Sequence, residues 1–107
     1  MDPVQAIANP TRREILRLVW DRELPASEIA ARVNLTGPAT SQHLRVLRAA
    51  DLVAVRIDAN RRLYRIHPKG LEELRLVLES FWTGRLASLK RVAEELHAEE
   101  KPNRDAR

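Results

Sequence analysis

TGPATSQHLRVLRAADLVAVRIDANRRLYRIH, residues Thr36–His67, contains the features from which we predict the fold. Its first half opens with Thr-Gly-Pro, a helix-start signal, and then spaces Leu44 and Leu47 as on the buried face of a helix. Its second half has two runs rich in β-branched residues, Leu52–Ile57 and Arg62–His67, around a short polar turn. Such runs are typical of a β-hairpin. We therefore predict a helix to about residue 50, followed by a hairpin.

The same stretch carries the whole net positive charge of the chain, which is +4. The segments before and after it each hold equal numbers of basic and acidic residues, whereas the stretch itself has six arginines and two aspartates. These arginines are Arg45, Arg48, Arg56, Arg61, Arg62 and Arg65. A basic helix beside a basic hairpin makes a surface suited to a duplex polyanion. The charge distribution therefore predicts double-stranded DNA as a partner.

Three more helices are predicted before this stretch. Asp2-Pro3 and Asn9-Pro10 each combine a capping side chain with a proline at the first helical position, which predicts short helices over about 3–8 and 10–20. Leu24-Pro25 is expected to open a third helix over residues 26–33. Only residues 34–36 separate it from the fourth helix, and two short helices joined by so tight a turn form a helix-turn-helix.

After the hairpin, Pro68 is expected to start a long final helix, from about residue 71 to residue 98, and the polar residues 99–107 are expected to fray. This order of elements describes a winged helix-turn-helix, a mainly α fold with a β-hairpin wing (α+β). A chain of 107 residues has room for one domain, which we expect over residues 1–98. Because only 4% of the residues are aromatic, the core should be aliphatic.

The exposed arc of the fourth helix is the predicted DNA-reading surface. Gln42 has an amide able to pair bidentately with adenine, and Arg45 can read guanine or hold a phosphate. Thr36 and the free amides at the helix N-terminus can bind a phosphate, while the hairpin arginines are expected at a minor groove or its phosphates. The complete set of expected DNA contacts is Thr36, Thr40, Ser41, Gln42, His43, Arg45, Arg48, Arg56, Arg61 and Arg62.

Several of these residues have a second interpretation. The helix face could be only a solvated polar surface, and the hairpin charges could serve to prevent edge-to-edge aggregation. Thr40 is counted in the set although it shares the core-facing side of Leu44. His43 lies at the edge of the face, where it either touches DNA or packs against the third helix. Arg48 lies nearer to the core side and fits a phosphate contact or a snorkelling side chain better than a base contact.

Composition and pattern exclude several classes of protein. The absence of cysteine excludes disulfides and thiolate metal sites. No apolar run approaches the about 20 residues of a membrane span, and the N-terminus lacks a signal-peptide pattern, so we expect a cytoplasmic protein without membrane contact. The sequence shows no nucleophile–base pair and no glycine-rich phosphate loop, and its three histidines lie far apart. We therefore do not expect an enzyme.

Three segments resemble the ArsR/SmtB family of bacterial winged-helix repressors: ANPTRREIL (Ala8–Leu16), ELPASEIAARVNLTGPATSQHLRVLRAADLV (Glu23–Val53) and RRLYRIHPKGLEEL (Arg61–Leu74). The resemblance extends over about residues 6–82. It implies a homodimer that binds operator DNA and represses transcription. It also implies that residues 41–43, Ser-Gln-His, lie in the DNA groove and that the wing arginines contact the backbone.

The chain departs from the metal-binding members of that family. Leu24, Pro25 and Ala26 stand where the resemblance would require a Cys-x-Cys segment, and Trp82 and Gly84 stand where an Asp-x-His would fall. His97 and Glu100 have the spacing of a second ligand pair, but two ligands on the end of a helix are too few for a site. We expect no metal and no cofactor. Regulation stays open between a constitutive protein and one released by a small organic ligand or a protein.

The final helix has more apolar surface than so small a domain can cover, which predicts a homodimer. The expected subunit-contact residues are Val4 and Ile7 of the first helix with Leu78, Phe81, Trp82, Leu86, Leu89, Ala93 and Leu96 of the last. Gly84 lies where this stripe shifts by one residue and could permit a bend. A twofold dimer predicts an inverted-repeat operator. The alternatives are intramolecular packing of the first half of the helix, and a winged-helix protein-interaction module with little DNA binding.

Overall fold

The structure of the protein is a computed structural model, which describes residues 1–105, with side chains through residue 99. It forms two compact units, residues 1–75 and residues 76–107. The elements are α1 (Pro3–Ile7), α2 (Pro10–Leu18), β1 (Leu24–Pro25), α3 (Ala26–Val33), α4 (Gly37–Ala49), β2 (Val53–Asp58), β3 (Arg61–Ile66), α5 (Pro68–Trp82) and α6 (Arg85–Asp105). The predicted mainly α fold with a hairpin wing is confirmed.

Three predicted helix starts are capped by side chains. Asp2 Oδ1 accepts from the Val4 amide at 2.9 Å. Asn9 Oδ1 accepts from the amides of Thr11 and Arg12 at 2.8 and 3.1 Å. The Thr36 hydroxyl accepts from the Ala39 amide at 3.2 Å. Each cap satisfies amides that have no partner within the first turn, and so fixes where its helix begins.

A left-handed residue makes the turn of the helix-turn-helix. Asn34 follows α3 with φ 57° and ψ 48°, a conformation that asparagine tolerates better than most residues. The next amide, of Leu35, donates to the Ala30 carbonyl at 3.1 Å. The chain therefore reverses in residues 34–36 and enters α4 at its Thr36 cap.

The sheet has the order β1-β3-β2, with both pairings antiparallel. Leu24-Pro25 opens α3 as predicted, with Pro25 at its N-cap position, and the two residues also form β1, which the sequence did not predict and which pairs with Tyr64 and Leu63. Proline is tolerated there because β1 is an edge strand. The wing strands are each displaced by one residue from the prediction. Their connection is the two-residue turn of Ala59 and Asn60, with φ +58° at Ala59.

The core of the first unit is aliphatic, as expected. Its fully buried large side chains are Ile15, Val19, Ile29, Leu44, Leu47, Leu52 and Val53. Leu44 and Leu47 belong to the inner face of α4, so the position of the opposite face is determined by core packing. Backbone hydrogen bonds attach the sheet to the helical segments, from Ile66 N–H to Val19 O at 3.3 Å and from Leu52 N–H to Leu47 O at 3.0 Å.

The start of α5 lies against the end of α4. The Gly70 amide donates to the Asp51 carbonyl at 2.8 Å, and Asp51 itself has φ 56°. A Cβ atom on Gly70 would overlap the backbone oxygens of Ala50 and Asp51. Glycine is therefore required at this position by the close approach of two backbones.

The prediction of a single helix over residues 71–98 was wrong. Helical structure does start at Pro68, but it is interrupted at Thr83 and Gly84, where a bend was expected and where Gly84 has φ 78°. The second helix, α6, continues past the predicted end. Residues 106 and 107 of the predicted tail lie outside the described residues.

Candidate nucleic-acid interface

A groove of about 300 Å³ runs between α4 and the wing. Its lining residues are Ala26, Ser41, Leu44, Arg45, Arg48, Arg62 and Tyr64. Three of the predicted DNA-contacting cations, two from the helix and one from the hairpin, therefore surround one concave surface. The sequence predicted both basic elements, and the fold brings them together.

Core packing presents the outer face of α4 to solvent. Leu44 and Leu47 are 1% and 0% exposed, so the side of α4 opposite to them points away from the core. Ser41, Gln42, Arg45 and Arg48 are all exposed. The exposed residues are thus an amide, a hydroxyl and two guanidinium groups within eight positions of one helix, the groups that bind base edges and phosphates.

The register of the hairpin divides the wing arginines between the two faces of the sheet. Residues directly opposite each other in an antiparallel pair share a face. Arg62 lies opposite Ile57 and shares its face with Tyr64, which lines the groove. Arg61 lies opposite Asp58 at the tip, and Arg56 lies opposite Leu63, both on the other face.

The groove arginines are electrostatically unbalanced. Within residues 1–99, Arg45, Arg48 and Arg62 have neither a hydrogen bond nor an acidic partner. Other arginines are paired with acids, for example Arg17 with Glu14 and Arg32 with Glu28, each at 2.9 Å, although Arg61 and Arg65 also form no ion pair within residues 1–99. Three cations that repel each other around one concavity create a positive potential that an anion would relieve.

Arg56 differs from the groove arginines because it is neutralised within the chain. Its Nη2 and Nε donate to the Glu23 carboxylate at 2.8 Å to Oε1 and 3.0 Å to Oε2. This pairing lowers the pKa of Glu23 and raises the pKa of Arg56, in each case chiefly through the hydrogen bonds. We therefore remove Arg56 from the expected DNA contacts, since it joins β2 to the segment before β1 on the face away from Arg62.

Thr40 is also removed from the expected contacts. Its side chain is 1% exposed, and its hydroxyl donates to the Thr36 carbonyl at 2.9 Å. A buried and satisfied hydroxyl is inaccessible to a phosphate. The Thr36 hydroxyl, by contrast, is exposed and accepts in its cap, so its own proton stays available for donation.

His43 is half-buried and faces Arg12 of α2. Its Nδ1 lies 3.5 Å from Arg12 Nη1. Burial, and secondly the charge of Arg12, lower the pKa of His43. A neutral ring with a free lone pair on Nδ1 can accept from the guanidinium, so the histidine is engaged inside the first unit.

Arg12 is a structural residue that the sequence interpretation missed. Its Nε donates to the Ala6 carbonyl at 2.6 Å and its Nη2 to the Gln5 carbonyl at 3.3 Å. The last carbonyls of a helix have no partner within it, so a cation just beyond the short α1 is stabilised there. The position of Arg12 a few residues after α1 was the only feature of the sequence that could have indicated this role. Arg12 thereby connects α1, α2 and the His43 side of α4.

Comparison with known proteins agrees with this geometry. A family model described as a helix-turn-helix domain matches residues 7–56. The HTH-type transcriptional regulator Rv2034 of Mycobacterium tuberculosis is 39% identical over 90 residues, which are 84% of each chain. A crystal structure described as a possible transcriptional regulator for arsenical resistance is 40% identical with a TM-score of 0.73, covering 82% of this chain and 95% of that one.

A third relative supplies the family name. The homodimeric winged helix-turn-helix DNA-binding domain of Mb0332 from Mycobacterium bovis is described as a possible ArsR-family transcriptional regulator. It is 28% identical, with a TM-score of 0.62 over 72% of each chain. The chain belongs to the ArsR/SmtB family. As an ArsR/SmtB protein it is a DNA-binding transcriptional regulator, and the resemblance found in the sequence is confirmed.

Among the described residues, no three His, Cys, Asp or Glu side chains come together as a group that could hold an ion. In the same part of the chain, no helix is both long and apolar enough to cross a bilayer.

Most of the expected subunit-contact residues of this ArsR/SmtB protein are exposed in the single chain. Val4 is exposed, whereas Ile7 is half-buried against the core of the first unit. The exposed members in α5 and α6 are Leu78, Phe81, Trp82, Leu86, Leu89, Ala93 and Leu96. Val92 is a further exposed apolar residue that the sequence interpretation did not include. Phe81 and Trp82 pack edge to face, with ring centroids 5.2 Å apart.

Proposed function

We propose that the protein is a sequence-specific repressor that binds an inverted-repeat operator as a homodimer. In this proposal α4 enters the major groove, and the wing meets the neighbouring minor groove or its phosphates. The observation that carries the proposal is the groove in which Arg45, Arg48 and Arg62 converge without acidic partners. Duplex DNA supplies the closely spaced negative charge that would neutralise them.

The contacts divide by chemistry. Ser41 and Gln42 are short, uncharged and exposed, so they suit base edges in the major groove. Arg45 reads guanine or holds a phosphate of the DNA. Arg48 and Arg62, on the helix side and the wing side of the protein groove, bind the DNA backbone. The Thr36 hydroxyl and the amides at the N-terminus of α4 bind a further phosphate. Arg61, at the wing tip, contacts the DNA outside the protein groove between α4 and the wing.

A dimer is supported by the apolar surface of the C-terminal helices. Exposed apolar residues recur along α6 three or four residues apart, as on one helix face, at Leu86, Leu89, Val92 and Leu96. Further exposed apolar residues lie in α5, and exposed apolar surface marks an interaction site. The similar Mb0332 domain is described as homodimeric. A twofold dimer presents two copies of α4 to successive major grooves, about 34–36 Å apart, which accounts for the inverted repeat.

Repression follows if the dimer occupies a promoter and obstructs polymerase, including the promoter of its own gene. We further propose that the protein acts in the cytoplasm, has no catalytic activity and needs no metal or cofactor.

The test measures binding of duplexes from the region upstream of the gene by fluorescence anisotropy at several salt concentrations. Wild type should bind one duplex selectively, with affinity that falls steeply with salt. Arg45→Gln should weaken binding by about 1–3 kcal/mol if the arginine reads guanine bidentately, and Gln42→Ala should reduce the preference for that duplex. Arg17→Gln removes the same charge outside the groove and is the matched control.

Weak and equal binding by wild type, Arg45→Gln and Arg17→Gln would reject the proposal. Negligible DNA binding, together with a defined complex between the C-terminal helices and a different protein, would instead favour a protein-interaction module.

A further inference from the structure

Ile57 is the most exposed of the large apolar side chains in the described part of the chain, at 67%. It occupies the last but one position of β2, next to the turn of the wing. Nothing in the core requires an isoleucine there. Since a single exposed apolar residue is common on protein surfaces, its exposure alone implies no role.

The strand register directs Ile57 to the same side as the groove. It lies directly opposite Arg62, and the next pair along the same face is Val55 with Tyr64. Arg62 and Tyr64 both line the groove beside α4. Whatever occupies the groove and extends along the wing must therefore pass Ile57. The surface is continuous with the proposed DNA interface.

The neighbours of Ile57 favour DNA over a protein partner. Residues 58–62 read Asp-Ala-Asn-Arg-Arg and are exposed, so no apolar patch surrounds the isoleucine. Stable protein interfaces bury hundreds of Å² on each side around an apolar centre, and the wing tip has no such area. Asp58 lies opposite Arg61 on the other face, which leaves Arg62 as the nearest charged neighbour on the isoleucine side.

A lone apolar side chain beside a phosphate-binding arginine is the arrangement of a minor-groove wedge. Proteins that kink DNA insert Ile, Leu, Phe, Met or Pro between base steps while cations hold the flanking phosphates. Isoleucine is stiff at χ1, so little side-chain entropy is lost on insertion. Pyrimidine–purine steps unstack most readily.

We propose that Ile57 inserts into the minor groove at a flexible base step and deforms the operator there. The inference rests on the proposed DNA-binding function and adds a sequence preference at base pairs that α4 does not reach. Arg62 binds the adjacent phosphate. Because the energy needed to unstack a base step depends on its sequence, the wedge discriminates between DNA sequences although it makes no hydrogen bond to a base.

The experiment places 2-aminopurine, whose fluorescence rises on unstacking, at successive positions of the duplex bound by wild type. Wild type should raise the fluorescence at the step under each wing. Ile57→Thr keeps a β-branched residue in the strand but removes apolar length, and should abolish the signal while weakening binding on the order of tenfold. Ile57→Val retains a shorter apolar wedge and should restore part of the signal.

The salt dependence separates this role from an electrostatic one. Ile57→Thr should leave the slope of log affinity against log salt unchanged, whereas Arg62→Gln should reduce its magnitude by about one. Wild-type affinity and fluorescence in a folded Ile57→Thr protein would overturn the wedge and leave the proposed function standing. A changed slope for Ile57→Thr would also overturn it. Failure of wild type to bind any duplex would reject the proposed function itself.

Discussion

Arg12 Nη1 lies 3.5 Å from His43 Nδ1, and this contact links the N-terminal helices to the helix that carries the proposed DNA contacts. The other two guanidinium nitrogens of Arg12, Nε and Nη2, donate to the carbonyls of Ala6 and Gln5. The guanidinium is thus anchored before it meets the ring. His43 is therefore placed by the protein's own framework, one position from Gln42.

We predict that this contact makes stability depend on pH. The pKa of His43 is lowered below its ordinary 6.5 by burial first and by Arg12 second. As pH falls below 6.5, the unfolded chain takes up the proton more readily than the folded one, so stability present at higher pH is lost. Urea unfolding at pH 7.5 and 5.5 should show a smaller loss for His43→Gln than for wild type.

A titration followed by NMR checks the cause. In Arg12→Met the pKa of His43 should rise but stay below 6.5, because burial is the larger cause and is retained. An unchanged pKa in Arg12→Met would contradict the assigned contribution of Arg12.

We predict opposite effects of alanine at two glycines. Gly70→Ala should destabilise the protein by about 1–3 kcal/mol, because its Cβ would overlap two backbone oxygens that cannot move independently. Gly37→Ala, with open space around the new Cβ, should be neutral or stabilising by up to about 1 kcal/mol, since alanine favours a helix. Thermal unfolding measures both. Equal stability of the two variants would show that the contact at Gly70 relaxes freely.

We predict that two arginines of the same hairpin contribute unequally to DNA binding. Arg62→Gln should weaken binding and reduce its salt dependence, whereas Arg56→Gln should change affinity much less, because Arg56 is already neutralised by Glu23. Glu23→Gln should free that cation and strengthen non-specific binding. Anisotropy titrations with a specific and an unrelated duplex measure all three. Equal losses for the two arginine variants would contradict the division of the wing by its register.

We predict that Leu89→Glu dissociates the dimer. The carboxylate would be buried without a partner in the proposed subunit contact, whereas Ser88→Glu adds the same charge one position away, off the apolar stripe. Sedimentation at micromolar concentration should find Leu89→Glu monomeric and Ser88→Glu dimeric. The affinity for DNA should fall when the dimer dissociates, because each subunit then binds its half-site independently. A dimeric Leu89→Glu protein would place the subunit contact elsewhere.

We predict no saturable thermal stabilisation by zinc. A protein site uses three or four ligands, and the described residues offer no group of that size. The check is a melting curve with increasing zinc and a parallel curve with a chelator. A shift that saturates near one equivalent would reveal a site.

Local chemistry made much of the fold predictable. The caps at Asp2, Asn9 and Thr36 and the prolines after them determine where three helices begin. Binary patterning of Leu44 and Leu47 determines which side of α4 faces the core. β1 was missed because a two-residue strand has no periodicity of its own, and it exists only where β3 pairs with it.

The interface was less predictable because it too depends on contacts between residues that are distant in the sequence. The partner of Arg56 is thirty-three positions away, and no local pattern connects it to Glu23. Thr40 was counted with its exposed neighbours although its helical position is on the core side. The charge concentration identified the correct region, but only the strand register and the tertiary contacts distinguish arginines that stay free from those that are occupied.

The free guanidinium groups at the α4–wing groove imply a trade-off within this small fold. Their mutual repulsion works against the compact state, so replacing one of them by a neutral side chain should make the isolated protein slightly more robust. The unpaired arginines thus lower the stability of the free protein but leave three cations available to bind its target. Variants selected only for resistance to heat would be expected to lose their regulatory capacity first at this surface.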